Sequence, residues 1–547
     1  MKIALAQLNY HIGNFPSNTE KIIHVLEAEK EKGTDLVVFA ELSVCGYLPN
    51  DFLNYQQFVK RCNEAVQEIA KHSQGIACIL GAPEVNPVIE GKDLYNAAYF
   101  IEDGEIKQTA RKSLLPTYDI FDEYRYFEPA TAFKCIRFKN YKIALTICED
   151  LWNLGNNPLY KACPMDELIK EEPDFMINIA ASPFDYKHEE QRLMILSQNC
   201  RKYQIPLLYV NQVGANTDLI FDGGSLVFDK AGDIVAELPY FKEDIQVFDI
   251  EQLTGGTIIL GEKSSQKEPV AQVYEALILG IRDYFHKSGF RTATLGLSGG
   301  IDSAVVCALA AEALGAENVF PVLLPSKYSS DHSVNDALVL AENLGCKYST
   351  VSIEKVAAAF EDSLADEFAG LPQNLAEENI QARSRGVILM AMSNKFGHIL
   401  LNTSNKSECA VGYGTLYGDM CGALSVIGDC YKTQVYKLAD YINRDREIIP
   451  VNTITKAPSA ELRPDQKDSD SLPDYDVLDK ILFEYIELQK SADEIIAEGF
   501  DEATVVRTLS LVNNAEFKRY QTAPILRISP KSFGIGRRMP IVAKYKF

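Results

Sequence analysis

Short apolar runs alternate with amphipathic helical runs along most of this chain, a rhythm that confines it to sheets sheathed by helices. Residues 2–8, 35–40, 76–80, 142–146, 175–179 and 206–210 read as buried strands. Between them, 18–32, 56–73 and 188–203 carry apolar residues at i, i+3 and i+4 with charge on the opposite face, as helices with one buried side do. Asp103-Gly104 and Ala231-Gly232-Asp233 are turn signals. Each sits in a hairpin, 97–101 with 106–110 and 226–228 with 234–238.

The rhythm breaks once. A polar, glycine-bearing stretch at 255–269 is the expected linker, which sets a first domain at 1–254 and a second at 270–547. Past it come a helix at 270–287, a strand at 292–297, a strand at 319–324 with a helix at 334–344, and a strand at 399–402 leading into a polar loop. That order favours βαβ crossovers and a parallel sheet. From Leu472 the sequence reads as mostly helix, with a basic tail that includes Lys518, Arg519, Arg527, Lys531, Arg537 and Arg538.

Composition narrows the function. With 47% apolar and 24% charged residues the chain is neither disordered nor a disulfide scaffold. A net charge of −22 repels nucleic-acid backbones and anionic membranes, so neither is expected as a partner. No apolar run approaches the ~18 residues of a membrane span, and the run at 3–6 is too short for a secretory signal. Twelve Cys form no Cys-x-x-Cys pair, so free thiols and a cytoplasmic location are expected.

Ser298-Gly299-Gly300-Ile301-Asp302-Ser303 falls between an apolar strand and a helix start, where free backbone N–H groups and the helix dipole attract anions. Two glycines admit close backbone approach, two hydroxyls can donate, and Asp302 can hold Mg2+ against phosphate oxygens. The string lacks the Gly-Lys-Ser/Thr of kinase-like loops, which argues against γ-phosphoryl transfer. Lys406 and Lys456 offer positive charge for phosphates, and Glu408, just past a strand end, can share Mg2+ with Asp302.

The string resembles the pyrophosphate loop of the N-type ATP pyrophosphatases. Further blocks, among them Thr403-Ser404-Asn405-Lys406-Ser407-Glu408 and Lys456-Ala457-Pro458-Ser459-Ala460-Glu461-Leu462, resemble the NAD synthetase family. The resemblance implies a Rossmann-like parallel-sheet domain that binds ATP through Gly296, Leu297, Ser298, Gly299, Gly300, Ile301, Asp302, Ser303 and Thr403. It also implies deamido-NAD held by Asn379, Glu408 and Lys518. Family members often have Gly where Ser404 stands.

In the first half, Cys148 follows the buried run 143–147, Glu41 ends the strand at 35–40, and Lys112 closes the strand-like 108–111. A charged group after five apolar residues is costly unless it has a job. Brought together, the carboxylate can take the thiol proton, the thiolate can attack an amide, and the ammonium can stabilise the oxyanion. This spacing, with 121–127 between Lys112 and Cys148, resembles the glutaminase branch of the nitrilase superfamily over about residues 1–250. The resemblance implies an αββα sandwich, Glu123 as a supporting carboxylate, and glutamine binding by Tyr118, Glu149 and Ser182 with His188 or its neighbour Lys187. Trp152, the single Trp, reads as pocket wall.

Together the halves imply that glutamine is hydrolysed to glutamate and ammonia. ATP with Mg2+ adenylylates deamido-NAD, and ammonia, carried inside the protein through a tunnel, displaces AMP to give NAD. A homo-oligomer is implied too, with the synthetase domains pairing. A different carboxylate acceptor and a non-catalytic nucleotide sensor are the competing readings. The Asn379 and Lys406 blocks speak against the first, and the intact Cys148, Glu41, Lys112 and Asp302 against the second.

Overall fold

The apolar runs of the first half pair into two six-stranded sheets. In the computed structural model the residues described are 1–154, 158–255, 268–459, 461–463 and 466–545; most of the expected linker lies outside them. The chain divides into two units, Met1–Gln266 and Lys267–Phe547.

In the first unit the strands are β1 (Lys2–Gln7), β2 (Leu36–Val38), β3 (Ala77–Val85), β4 (Leu94–Glu102), β5 (Glu105–Arg111), β6 (Ile136–Phe138), β7 (Tyr141–Ile147), β8 (Phe175–Ala180), β9 (Leu207–Asn211), β10 (Val213–Asn216), β11 (Leu219–Asp222), β12 (Leu226–Phe228), β13 (Ile234–Glu237) and β14 (Asp244–Asp249). One sheet runs β14-β1-β2-β3-β4-β5 and the other β13-β12-β9-β8-β7-β6. In each, three central strands are parallel: β1, β2 and β3 in the first, β7, β8 and β9 in the second.

Period-two alternation builds the layers. Ile3, Leu5, Leu36, Val38 and Ile79 join a core with Ile143, Leu145 and Ile177 of the facing sheet. Their alternates Ala4, Ala6, Val37, Cys78 and Leu80 pack under Ile22 and Leu26 of the helix Phe15–Glu31 and Val66 and Ile69 of the helix Gln56–Lys71. This is the αββα arrangement expected. Two features escape the sequence pattern: β14, which pairs antiparallel with β1, and the β10–β11 ribbon. The residues of β14 are only partly buried or exposed, so no apolar run announces the strand.

The second unit holds one parallel sheet of β15 (Ala293–Gly296), β16 (Val319–Leu323), β17 (Ser349–Thr350), β18 (Ile399–Asn402) and β19 (Leu424–Ser425), in the order β17-β16-β15-β18-β19. The helix Ile301–Leu314 begins directly after the loop that leaves β15. The 22-residue helix Leu375–Phe396 is capped by Asn374, whose side chain accepts from Ala376 N while Glu377 bonds back to the cap, and it ends at left-handed Gly397. The helical reading of the chain beyond Leu472 holds only to Arg519, the end of the last helix among the described residues. Pro524, Pro530 and Pro540 withhold the N–H groups a helix needs. Ile525 instead makes a parallel bridge to Ser425, extending the sheet.

Candidate active sites

Three strand ends deliver the first site. Glu41 lies past β2, Lys112 follows β5 and Cys148 follows β7. Lys112 Nζ donates to Glu41 Oε1 and to Glu123 Oε1, each at 2.8 Å, and all three side chains are fully buried. Tyr47 OH donates to Glu123 at 2.6 Å, and Asn96 Nδ2 and the backbone N–H of Ala181 donate to Glu41 at 2.7 and 3.0 Å. Burial works against the Lys112 charge, but Glu123 and Glu41 outweigh it and hold the ammonium well above its ordinary range.

Cys148 opens a tight turn straight off β7 with φ at 44°, a left-handed value uncommon outside glycine. Burial first, and then the Glu41 carboxylate, push its thiol up, against the pull of Lys112. Beside it Glu149 accepts from Tyr118 OH at 3.0 and 3.1 Å and from Tyr160 OH at 3.0 Å, and burial pushes its carboxyl up to about 7. Ser182 Oγ and His188 Nε2 are 2.7 Å apart, and the His188 ring stacks on Trp152. Lys187 is exposed, so the basic group facing Ser182 is His188.

The second site lies at the carboxyl end of the parallel sheet, where such folds bind ligands. A cavity of about 300 Å³ is lined by Gly296, Leu297, Ser298, Gly300, Ile301, Asp302, Ser303, Thr403, Ser404, Glu408, Lys432 and Lys456, with others. Gly299 shapes the loop from below: its φ is +81°, and a Cβ there would stand 2.1 Å from Ser333 O. Ser298 and Ser303 hydroxyls lie 3.1 Å apart, and Ser298 Oγ accepts from Gly300 N.

Asp302 accepts from Lys432 Nζ at 2.5 Å and from Asn405 Nδ2 at 2.9 Å. Glu408 Oε1 is 3.8 Å from the same Nζ, and burial and Asp302 together raise its carboxyl well above the usual range. Lys456 Nζ bonds Ser333 Oγ at 3.1 Å and pairs with Asp336 at 3.3 Å.

One expectation is overturned. Lys406 does not face the cavity: its Nζ is fully buried and held by Asp429 and Glu487 at 2.9 Å and by Ser529 Oγ at 2.7 Å. With two carboxylates already on it, that charge braces the framework. Among the described residues, the cations that line the cavity are Lys432, Lys456 and Arg385. Nothing local in the sequence marks Lys432; only the parallel order β15-β18-β19 brings it beside Asp302. Asn379 accepts from Thr415 Oγ1 at 2.7 Å, and Lys518 Nζ donates to the carbonyls of Gly412 and Gly414 at 2.7 Å. Both therefore touch the 412–419 loop, of which Tyr413, Gly418 and Asp419 line the cavity.

A buried thiol–lysine–carboxylate centre and a nucleotide-type anion loop in one chain define the class: a carbon–nitrogen hydrolase joined to a synthetase. The carbon-nitrogen hydrolase family model matches residues 2–258 and the NAD synthase model residues 273–522. The glutamine-dependent NAD(+) synthetase of Synechocystis sp. is 46% identical over 552 residues, 99% of each chain. That of Thermotoga maritima is 39% identical over 583 residues, 100% of this chain and 99% of the relative. The solved structure of the Acinetobacter baumannii glutamine-dependent NAD+ synthetase, in complex with ADP, matches with a TM-score of 0.78 at 38% identity, covering 99% of this chain and 98% of that one. This chain belongs to the glutamine-dependent NAD(+) synthetase family.

Proposed function

We propose that this chain makes NAD from deamido-NAD, with glutamine as nitrogen donor and ATP as activator. The observation that carries the reading is the presence in one chain of a buried Glu41–Lys112–Glu123 cluster beside Cys148 and a loop-and-carboxylate cavity at Asp302. We take the domains as 1–254 and 270–547 with 255–269 joining them.

Glutamine enters with its α-ammonium against Glu149 and the Tyr118 hydroxyl, while Ser182 and His188 hold its α-carboxylate. Glu41 takes the Cys148 proton as the thiolate attacks the amide carbon. Two of the three Lys112 N–H donors serve Glu41 and Glu123, which leaves the third for the oxyanion. The proton then passes from Glu41 to the leaving ammonia. Water cleaves the thioester with Glu41 again as base, releasing glutamate.

In the second unit the loop 298–303 and Thr403 hold ATP, and Asn379, Glu408 and Lys518 frame deamido-NAD. The nicotinate carboxylate attacks the α-phosphorus and pyrophosphate leaves. Ammonia then attacks the acyl adenylate and AMP leaves. Lys432 and Lys456 stand where charge develops on the phosphates. Asp302 and Glu408, two hard oxygen donors converging on one cavity, would hold Mg2+, which would neutralise phosphate charge there. We also infer a homo-oligomer through the synthetase unit and a cytoplasmic site of action; all twelve cysteines are free, and no described helix is long and apolar enough to cross a membrane.

The direct test supplies deamido-NAD, ATP and Mg2+ to the purified chain with glutamine or with ammonium chloride. NAD and AMP are expected in equal amounts from either nitrogen source. Absence of AMP from both would show the acceptor to be wrong.

A further inference from the structure

Asp150 belongs to no substrate contact described above, yet it is 3% exposed and its carboxylate is fully engaged by backbone. Oδ1 accepts from Ser113 N and Leu114 N, each at 2.9 Å, and Oδ2 accepts from Ile147 N at 3.1 Å. Ser113 and Leu114 are the residues directly after Lys112, and Ile147 is the residue directly before Cys148. One side chain thus ties the segment that carries the ammonium to the strand end that carries the nucleophile. The two come from different sheets, β5 and β7, and no ladder hydrogen bond joins them.

The tie has a reason to exist. Cys148 holds a left-handed φ of 44°, which persists only where the surroundings over-determine it. Asn178 Nδ2 adds a second restraint from β8, donating to Cys148 O at 3.3 Å. A displacement of the order of 1 Å between nucleophile and oxyanion donor costs about 10²-fold in rate.

We propose that Asp150 is a positioning residue for glutamine hydrolysis, its carboxylate setting the distance between the Lys112 ammonium and the Cys148 sulfur. It acts on the reacting groups and not on substrate affinity, because its oxygens serve the backbone of Ser113, Leu114 and Ile147 rather than the side chains of Tyr118, Glu149, Ser182 or His188. The inference rests on the glutaminase reading above, and wild-type glutamate release in the same assay tests that reading separately. If the wild-type chain releases none, the reading fails; if it does, the variants decide on Asp150.

Asp150→Asn keeps the size but has one carbonyl oxygen for two sets of donors, and Asp150→Ser keeps a single short acceptor. In the full-length chain each should lower kcat for glutamate release by about 30-fold or more, leave KM for glutamine within about two-fold, and slow alkylation of Cys148 by iodoacetamide. NAD synthesis from ammonium chloride should be unchanged. Unchanged kcat in both variants would overturn the proposal. So would a rise in KM with kcat intact, or loss of the thermal unfolding transition of the first unit in both variants, which would make Asp150 a core residue only.

Discussion

The two sites meet charge in opposite ways. In the first, Lys112, Glu41 and Glu123 are completely buried and bonded to one another before any substrate arrives. In the second, Asp302, Glu408 and Lys456 keep 18, 17 and 26% of their side-chain surface exposed in an open cavity. The carboxamide that reacts brings no charge to offset, so the centre around it must be electrostatically complete in itself. A nucleotide and its cation bring several charges, so the site that receives them can stay half-satisfied. Where buried charges are paired beforehand, removing one is destructive; where they await a ligand, removal weakens binding and chemistry first.

The largest effect expected is at the nucleophile: Cys148→Ala should lower glutamate release by at least about 10³-fold. Next, Asp302→Ala should lower NAD formation by about 10²-fold or more with glutamine and with ammonium alike, while glutamate release continues. Lys112→Met and Lys456→Met sharpen the contrast. The first strands two buried carboxylates and should destabilise its unit by about 3–5 kcal/mol in denaturant titration. The second should leave stability within about 1 kcal/mol while raising KM for ATP. Equal stability losses in the two would break the comparison.

Gly299→Ala should raise KM for ATP by roughly 10-fold, since φ of +81° and the nearby Ser333 carbonyl leave no room for a Cβ. The smallest effect concerns pH. Glu149 titrates at about 7 in the folded chain, above its unfolded value. Its contribution to the stability of the unliganded unit is therefore lost as pH rises through 7. The ionised form, which pairs with the substrate ammonium, is lost as pH falls through the same point. KM for glutamine should rise on acidification across pH 7, and Glu149→Gln should flatten that dependence.

Sheet strands, the first-half hairpins and the helix after the 298–303 loop were legible because their apolar periodicity is local. So were Glu41, Lys112, Cys148 and Asp302, each charged or reactive at a strand end. The failures are non-local. Lys406 reads, with Lys456, as charge for the phosphates, but residues two apart on a helix face different ways, and while Glu408 lines the cavity Lys406 turns to Asp429 and Glu487. Lys432 and Asp150 gain their partners only through sheet order and the stacking of two sheets. Among the tail's basic residues, Arg519 is buried against the carbonyls of Cys409 and Ala410, a contact only the folded chain reveals.

The most direct test of two separate chemistries joined by ammonia is an isotope competition. Wild-type chain and Cys148→Ala each receive deamido-NAD, ATP, Mg2+, amide-15N glutamine and unlabelled ammonium. The account predicts 15N in the NAD amide from the wild type, and unlabelled NAD at an undiminished ammonium-driven rate from Cys148→Ala. Labelled NAD from Cys148→Ala, or no NAD from it at all, would contradict the account.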